Sequence, residues 1–560
     1  KVLEPRVSTS IKLEQGPVTA SIAKGATISP DGTQFAFSVF GRLYRMALSD
    51  RNPHKLSSDT RFGEFHPSWS PDGKWLAYVS WNAIEGGALW KIPSDGSGPA
   101  IKLSADEAYY RNPVWSPDGT SLLAIQAPRQ LRLENSLGAL AKAEQIVQIN
   151  HKGSPSIALA AAAGASSLQF GRSGKKIYSY SPRSGLSSRS LDGGGQHTHL
   201  RVLGQPSPTT SPAMAGDIQI SPDKRHALAG VAGQLYLIDL SKLNPEQPVV
   251  NVYTFGEAYT KLTSLGADHF SWADAQTIGW SAGNTLYRRS INSDKVLEAE
   301  ALVQRPRDIP SGKLMLRGAR IITMQGDKVI ENGDLLIDGN RIQAVGKHGT
   351  LAKPADAMVM DVSGKTIMPG IVDIHAHWNL KRSVLDLQDY NALANLAYGV
   401  TTIRDPQSST DDIFVYGDAI ATGEMAGPRV FSTGRGVFFF NNFTSYEHVY
   451  AVLERYKKKY RTHLIKSYLP GSRKVRQWVV KACRELGLIV TSEGGSDAKM
   501  NLTFALDGFS GTEHAVPMVP HYEDIVQLFA QSGISYTPTL VVSFGGPFAA
   551  DHFIAEGTGF

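Results

Sequence analysis

Two histidines that lie two residues apart are the feature of this sequence best suited to metal chemistry. His375 and His377 close an apolar run that begins at residue 366. If that run is a β-strand, alternate side chains share a face, so both imidazoles point the same way. Two imidazoles placed together bind divalent transition metals. The pair therefore predicts a metal site, although two purely structural histidines would give the same pattern.

A lysine in a second apolar run is a candidate catalytic or metal-binding group. As a strand, residues 463–468 place Lys466 and Tyr468 on one face. A buried lysine is unfavourable unless its charge is paired or its pKa falls, and a neutral amine can take up carbon dioxide to form a carbamate. The alternatives are a salt bridge to Glu493 and a side chain that reaches solvent.

Further polar residues end other short apolar runs. Arg404, Asp405 and Tyr468 are candidates for orienting a substrate carboxylate or carbonyl. Each of these three is equally compatible with a structural role.

The elements that carry these residues alternate between strands and helices. We predict strands in the run that holds His375 and at 400–404, 429–432, 463–466, 488–491, 508–512 and 535–542, with helices at 445–459, 473–486 and 522–532. Such alternation is typical of parallel βα units. A closed (β/α)₈ barrel needs about 250 residues, so seven strands over 366–560 predict an incomplete TIM-type barrel whose C-terminal part is missing. Asp551 follows the seventh strand too soon to be assigned as the catalytic aspartate of an eighth.

The N-terminal half contains a repeated turn. Near-intact copies of Ser-Pro-Asp-Gly end at Gly32, Gly73 and Gly119, and weaker copies begin at 170, 220 and 270. Spacings of 41 to 55 residues are those of a four-stranded blade, and the motif itself is a tight turn. We therefore predict an all-β, six-bladed propeller over 1–304, with residues before Gly25 adding a strand to its last blade.

A small β-unit separates the two halves. Two prolines interrupt the pattern at 305–310, and apolar strand-forming runs follow to residue 365. Asp338-Gly339 lies between two such runs and predicts a hairpin turn. We expect 313–365 to form the N-terminal part of a small β-sandwich.

These motifs resemble two known families. The repeats resemble the TolB-type, WD40-like β-propellers, and the C-terminal part resembles the amidohydrolase superfamily, in its prolidase and imidazolonepropionase-like group. That second resemblance implies that His375 and His377 are metal ligands on the first barrel strand, that His514 is a ligand on the sixth, and that Lys466 is carboxylated and bridges two ions. Glu493 stands where the family usually has a histidine, so it either substitutes as an oxygen ligand or marks an altered or lost second site.

The resemblance implies a metal-dependent hydrolase of C–N bonds in amide, peptide-like or cyclic amide substrates. One or two divalent ions, with zinc as the first expectation and manganese, cobalt or iron open, activate the attacking water. Lys466, Glu493 and Tyr468 are the expected catalytic residues, and the propeller filters substrate or docks a partner. Two alternatives stay open: a propeller-based binding or scaffolding protein with a degenerate barrel, and deamination of a nucleobase-like ring.

Charge and hydropathy argue against two other classes, nucleic-acid-binding and membrane-spanning proteins. The chain has 57 basic and 51 acidic residues, with no run of five like charges, which argues against a nucleic-acid groove. No apolar stretch reaches 18 residues, so no membrane span is expected. The propeller resemblance and the first residue, Lys1 instead of Met, favour a periplasmic or secreted protein. A small-molecule or short-peptide substrate, a protein partner at the propeller and an oligomer are all compatible with the sequence.

Overall fold

The computed structural model describes residues 11, 13, 15–58, 61–134, 137–192, 194–204, 214–378, 380–495, 497–518 and 520–539. Within them lie six blade-like β-sheets, a separate five-stranded sheet and a parallel β/α region. The mostly β, multidomain organisation predicted from the sequence is therefore confirmed. No helix in the described part of the chain is long and apolar enough to cross a membrane.

Each copy of the repeat forms one antiparallel sheet. The first three sheets comprise β2 Lys24–Ile28, β3 Gln34–Val39, β4 Arg42–Ala47 and β5 His54–Lys55; β6 Gly63–Trp69, β7 Trp75–Asn82, β8 Gly86–Pro93 and β9 Ile101–Lys102; and β10 Tyr109–Trp115, β11 Ser121–Ala127, β12 Gln145–Asn150 and β13 Ile157–Ala161. Two short helices, α1 Arg129–Leu133 and α2 Leu137–Ala143, are inserted in the third sheet and lengthen that repeat.

The next three sheets follow the same plan. They comprise β14 Ser167–Phe170, β15 Lys176–Ser181, β16 Gly185–Ser190 and β17 His197–Leu203, with β21 Val249–Asn251 added in parallel; β18 Asp217–Ile220, β19 His226–Val231, β20 Gln234–Asp239 and β22 Tyr259–Lys261; and β23 His269–Trp272, β24 Thr277–Ala282, β25 Thr285–Ser290 and β26 Leu297–Glu300. A 3₁₀ turn, Leu240–Lys242, follows β20.

The first strands of the six sheets form a closed ring. Strand β2 contacts β6, β6 contacts β10, β10 contacts β14 and β14 contacts β18. The Gln219 side chain in β18 donates to the Phe270 carbonyl in β23, 3.0 Å away, and β23 contacts β2. The six sheets are therefore arranged as the blades of a propeller.

The repeated motif stabilises both a turn and the joint between blades. In the second copy, the Ser70 hydroxyl donates to Asp72 at 2.6 Å, and Gly73 takes the positive φ of 72° that closes the turn. The indole N–H groups of Trp69 and Trp115 donate to backbone carbonyls of the preceding blade, at 3.2 and 3.1 Å. The tryptophan of the motif thus links successive blades.

The N-terminal strand corrects one expectation. Strand β1, Val18–Thr19, pairs antiparallel with β27, Gln304–Arg305, and not with the sheet of the last blade. The connection to that blade is made beside the sheet, where the Ala23 N–H donates to the Gly283 carbonyl.

The unit between the two halves is one five-stranded sheet. Its strands are β28 Lys313–Ile322, β29 Val329–Asp338, β30 Arg341–Lys347, β31 Ala357–Asp361 and β32 Thr366–Ile367. The predicted turn at Gly339, with a φ of 56°, joins β29 to β30. Thr366–Ile367 pairs with β28 and therefore belongs to this sheet. The prediction that these two residues begin the strand before His375 is wrong. The second layer of a sandwich is not formed among the described residues.

The C-terminal part is a parallel β/α region. Its strands are β33 Ile371–Asp373, β34 Val400–Asp405, β35 Arg429–Ser432, β36 Val437–Phe438, β37 Leu464–Tyr468, β38 Ile489–Ser492, β39 Gly511–Glu513 and β40 Ser535–Thr537. They form a sheet of three, β33 to β35, and a sheet of five, β36 to β40. Among the described strands, β33 and β40 do not pair. Residues 540–542 of the predicted seventh strand, and Asp551, lie outside the described residues.

The short strand β36 was not predicted. Gly434 and Gly436, with φ values of 60° and 70°, interrupt the chain between β35 and β36. As a result β35, which matches the predicted strand at 429–432, pairs with β34, while β36 pairs with β37 in the other sheet.

Helices cover the strands as the sequence pattern indicates. They are α3 Tyr390–Ala397, α4 Asp412–Ala421, α5 Tyr446–Arg455, α6 Arg473–Leu486, α7 Ala498–Asp507 and α8 Glu523–Ser532, with a 3₁₀ turn at Phe439–Asn441. A π-helical segment, Tyr456–Tyr460, continues α5. The apolar face of α6 buries Cys483 completely, and burial raises the pKa of this thiol, so Cys483 is a core residue and not a nucleophile.

Polar contacts join the propeller to the β/α region. The Lys24 ammonium lies 2.5 Å from an Asp412 carboxylate oxygen, and both side chains are largely buried. Arg455 donates to the Gly233 carbonyl at 2.8 Å and pairs with Asp268. These buried charges hold the strand starts of the propeller against α4 and α5.

Candidate active site

Four neighbouring parts of the β/α region bring the predicted site residues together. His375 and His377 follow β33, Lys466 lies in β37, Glu493 follows β38, and His514 follows β39. The carboxyl ends of these parallel strands lie at one edge, which is where parallel α/β sheets bind their ligands. The imidazole rings of His375 and His514 lie 5.2 Å apart, although 139 residues separate them in sequence.

The histidine pair lies beyond its strand. Strand β33 ends at Asp373, so the prediction that both histidines lie on a strand is wrong. The reason is local: the His375 N–H donates to the Asp373 carboxylate at 3.0 Å instead of continuing the ladder. The two Nε2 atoms nevertheless lie 3.2 Å apart. This is about the separation of two nitrogens bound to one tetrahedral zinc ion at 2.0–2.1 Å.

The other ring nitrogen of each histidine is held by a separate partner. His375 Nδ1 lies 2.8 Å from Glu513 Oε2, and His377 Nδ1 lies 2.8 Å from the Gln407 carbonyl. A bond of this kind at Nδ1 fixes the tautomer and orientation of a metal-binding imidazole and leaves Nε2 for the ion. Burial lowers the pKa of His377, which favours the neutral form that binds metals.

Glu493 lies between Lys466 and His514. Its two oxygens are 2.9 Å from Lys466 Nζ and 2.9 Å from His514 Nε2. Lys466 is fully buried, and burial lowers the pKa of its ammonium although Glu513 and Glu493 oppose the change. Of the alternatives for Lys466, the salt bridge to Glu493 is therefore the state seen in this structure.

The Lys466–Glu493 pair is close but poorly aligned. Lys466 Nζ and Glu493 Oε2 are both buried, and neither has a well-directed hydrogen bond to any described residue. His514 Nδ1 is likewise buried without a partner in that part of the chain. Buried polar atoms are nearly always satisfied, so these three atoms fit a site that binds a polar or metal ligand.

Arg404 and Glu513 form a buried pair that supports the site. Arg404 donates to Glu513 Oε1 at 2.8 Å, to the Thr491 hydroxyl at 2.7 Å and to the Ile374 carbonyl at 3.0 Å. Burial raises the pKa of Glu513, but the His375 hydrogen bond and the Arg404 charge outweigh it and lower that pKa to about 2. Arg404 therefore has a structural role here, and Glu513 is a site residue that sequence reasoning missed.

Tyr468 and Asp405 border the cluster. The Tyr468 ring stacks on Phe438 with centroids 4.6 Å apart and lies 5.4 Å from Lys466 Nζ. Asp405 is fully buried, 4.0 Å from His377 Nδ1, and burial raises its pKa to about 7. The structure brings both residues to the site, and their roles in catalysis stay predictions.

The side chains of the cluster are of the types that bind a divalent transition metal, but their present arrangement does not form a complete set of metal ligands. His375 and His377 offer nitrogens at the spacing of a shared ion, and Glu493 and His514 lie in the same cluster. Across the described ranges, however, no group of three or more His, Cys, Asp or Glu side chains is arranged to hold an ion as it stands. A third ligand thus requires a side-chain rotation or a modified Lys466.

Comparisons with known proteins find partial similarity. No family model matches the chain. Adenine deaminase 2 of Bradyrhizobium sp. (strain ORS 278) is 32% identical over 113 residues, which is 19% of this chain and 18% of the relative. Imidazolonepropionase of Vibrio cholerae is 39% identical over 67 residues, 11% of this chain and 16% of the relative. The match thus spans less than a fifth of the length of either relative. The similarity is of the amidohydrolase kind and is confined to part of the chain.

Solved structures give weaker likenesses. An Xaa-Pro dipeptidase with bound methionine aligns with 44% of this chain and 69% of its own, at 22% identity and a TM-score of 0.35. A putative TolB from Agrobacterium tumefaciens aligns with 50% and 80%, at 16% identity and a TM-score of 0.29.

Proposed function

We propose that this protein is a metal-dependent hydrolase of C–N bonds whose active site is the cluster at the carboxyl ends of β33 and β37 to β39. The observation that carries the proposal is the convergence of His375, His377, Lys466, Glu493 and His514 from four separate parts of the chain. The partial similarity to a deaminase and an imidazolonepropionase supports it.

In this proposal His375 and His377 hold a divalent ion, with zinc the first expectation, and His514 and Glu493 complete its ligands. Such an ion polarises a carbonyl and lowers the pKa of bound water. Glu513 and the Gln407 carbonyl keep the imidazoles oriented through their Nδ1 atoms.

Glu493 is the proposed proton carrier of this site. One of its oxygens lies beside Lys466 and the other beside His514. In this role Glu493 would not be bound to the ion, and its carboxylate would take a proton from water and return it to the leaving nitrogen. Tyr468 lies next to Lys466 and is the proposed hydrogen-bond donor to the substrate carbonyl.

Lys466 has two proposed forms. Paired with Glu493 it stays an ammonium, as in this structure. Its buried position lowers its pKa, which favours the neutral amine that carbon dioxide carboxylates. A carboxylated Lys466 would give up the Glu493 pair and offer two oxygens to one or two ions.

The proposed substrates are small amides, short peptides or cyclic amides, in a periplasmic or secreted setting. The deaminase relative keeps a second reaction of the same C–N class open, the removal of ammonia from a nucleobase-like ring. A different function, a propeller-based binding protein with a degenerate barrel, draws support from Glu493, because its carboxylate already lies 2.9 Å from Lys466 Nζ and 2.9 Å from His514 Nε2 without a metal.

A substrate panel tests the proposal. Purified protein supplied with zinc and bicarbonate is incubated with dipeptides, N-acyl amino acids, cyclic amides and adenine, and released amine or ammonia is measured. We expect turnover of at least one class that is lost in His377→Ala and kept in Lys458→Met, whose side chain is 62% exposed. Turnover unchanged in His377→Ala would place the active site elsewhere in the chain. No turnover on any class with metal bound would favour the binding protein.

A further inference from the structure

A cavity of about 910 Å³ lies between the central opening of the propeller and the β/α region. Its propeller wall is formed by residues of the inner strands, including Gly25, His66, Asn112 and His269. Its other wall comes from the β/α region, with Arg382, Asp411, Arg435 and Tyr456 among its members. The volume is within the range of small-molecule sites, about 300–1,000 Å³, and is too small for a folded partner.

The β/α wall of this cavity is made by segments that continue from the candidate active site. The segment that holds His377 reaches the cavity at Arg382, and the segment that holds Gln407, the partner of His377, reaches it at Asp411. The third segment runs past Lys466: a β-carbon added to Gly436 would lie 2.9 Å from the Lys466 carbonyl oxygen. The propeller opening therefore faces the same edge of the strands as the metal-binding candidates.

Several charges in the cavity wall neutralise one another. Lys24 pairs with Asp412 at 2.5 Å, and Arg455 pairs with Asp268. These pairs join the two parts of the molecule and leave little charge for a ligand.

Two arginines in the wall are different. Arg382 is exposed, and its guanidinium has no hydrogen bond or ion pair with any residue of the described ranges. Arg435 uses only Nε, 3.0 Å from Asp411, and its side chain is 58% exposed, so its two terminal amino groups are available. Guanidinium groups with free paired N–H donors are well suited to bind carboxylates.

An acceptor in the same wall also lacks a partner. Asp411 Oδ1 is buried and has no hydrogen bond to the part of the chain that the structure describes. A ligand that carries both a carboxylate and N–H donors would satisfy the arginines and this oxygen together. A simple inorganic anion would satisfy only the arginines.

We propose that this cavity is a binding site for short peptides with a free carboxyl end, which Arg382 and Arg435 hold beside Asp411. Binding itself does not depend on the proposed hydrolase function. The further step, that the cavity supplies substrate to the cluster around His377, rests on that function and names its substrate class as short free-acid peptides.

The test is equilibrium dialysis against a mixture of peptides of two to four residues, each present as the free acid and as the C-terminal amide, with retained peptides measured by mass spectrometry. It is carried out in the His375→Ala/His377→Ala variant, so that neither hydrolysis nor a metal-bound carboxylate contributes. We expect free acids to be retained about tenfold more than their amides, because one charge-assisted bond is lost in the amide. Arg382→Gln should abolish this preference.

The control is Arg225→Gln, which removes an arginine whose side chain is 81% exposed and which does not line the cavity. Arg225→Gln should keep the preference for free acids over amides. Arg435→Lys should keep part of this preference. Unchanged melting temperatures would show that each variant is folded. Equal retention of acids and amides, or a preference that survives Arg382→Gln, would overturn the proposal. So would complete displacement by inorganic phosphate at the peptide concentration, since the site would then be a general anion site. If peptides bind but the wild type does not hydrolyse them, the peptide-binding proposal for the cavity is supported and the active-site proposal is rejected.

Discussion

Acidification should weaken the junction between the propeller and the β/α region, in part through His66. His269 lies in the same wall, and burial lowers its pKa to about 4, so it adds to the pH dependence separately. The half-buried imidazole of His66 accepts a hydrogen bond from the Asn112 N–H at 2.9 Å through Nδ1, so in the neutral ring Nε2 carries the proton towards the Ser383 hydroxyl, 3.0 Å away. Burial, with the nearby charges of Lys24 and Arg111, lowers the pKa of His66 to about 3. The neutral ring is therefore part of the folded junction.

The size of the effect follows from the two pKa values. An unfolded histidine titrates near 6.5, so between pH 6.5 and pH 3 the unfolded chain binds a proton that the folded chain does not, and stability falls as pH falls. At pH 5 the loss is about 2 kcal/mol, at about 1.4 kcal/mol per pH unit. Above pH 6.5 the contribution is fully present.

The variant His66→Asn isolates this contribution. His66 has a φ of 53°, and the corresponding residue of the next blade is Asn112 with a φ of 51°, so asparagine suits the backbone. The shorter side chain should lose one or two hydrogen bonds, or about 1–2 kcal/mol at pH 7.5. Because asparagine does not titrate, the wild-type advantage should disappear near pH 5.

Calorimetric unfolding at pH 7.5 and pH 5 measures the difference. The wild type should lose roughly 4–8 °C more than His66→Asn on acidification, for a cooperative unit of about 150–250 residues. The exposed His54 provides the control, because His54→Asn should keep the wild-type slope. Equal pH slopes for His66→Asn and the wild type would refute the argument.

Three other predictions concern the site and the core. Lys466→Met should reduce turnover at least about 100-fold without unfolding the protein, as steady-state kinetics and circular dichroism would show; activity near the wild-type level would exclude Lys466 from catalysis. Arg404→Met should destabilise the protein by about 3 kcal/mol in denaturant titration, because Glu513 is left buried without its cation, and adding Glu513→Gln should recover part of the loss. Cys483 should resist a thiol reagent in the native protein and react only on unfolding, and fast labelling of folded protein would contradict its burial.

Features with strong local signals were predicted well. The Ser-Pro-Asp-Gly turn is made by bonds within five residues, as between Ser70 and Asp72, so each copy identifies one sheet of the propeller. Helix α6 spans the predicted 473–486 because its apolar face repeats at helical spacing and Gly487 ends it with a φ of 65°. Two-residue strands such as Val437–Phe438 have no such periodicity, and they form only because a neighbouring strand is present.

In the candidate site, too, residues with a local sequence signal were predicted, and residues placed only by the strand order were not. Residue type and spacing predicted a metal site at His375 and His377 and a reactive lysine at Lys466, whereas His514 was expected only from the resemblance to the amidohydrolase superfamily. The partner of His375 could not be found this way, because Glu513 lies 138 residues away and only the strand order brings the two together. A charged residue directly before His514 at the end of a buried strand was the one available signal.

Metal content per chain is the measurement that tests the central claim most directly. Protein purified without chelator, and resupplied with zinc and bicarbonate, is analysed by elemental mass spectrometry beside the His375→Ala/His377→Ala variant. The account predicts one or two equivalents of a divalent metal in the wild type and a loss of at least one equivalent in the variant. Folded wild type with no bound metal, or a variant that keeps the full amount, would contradict it.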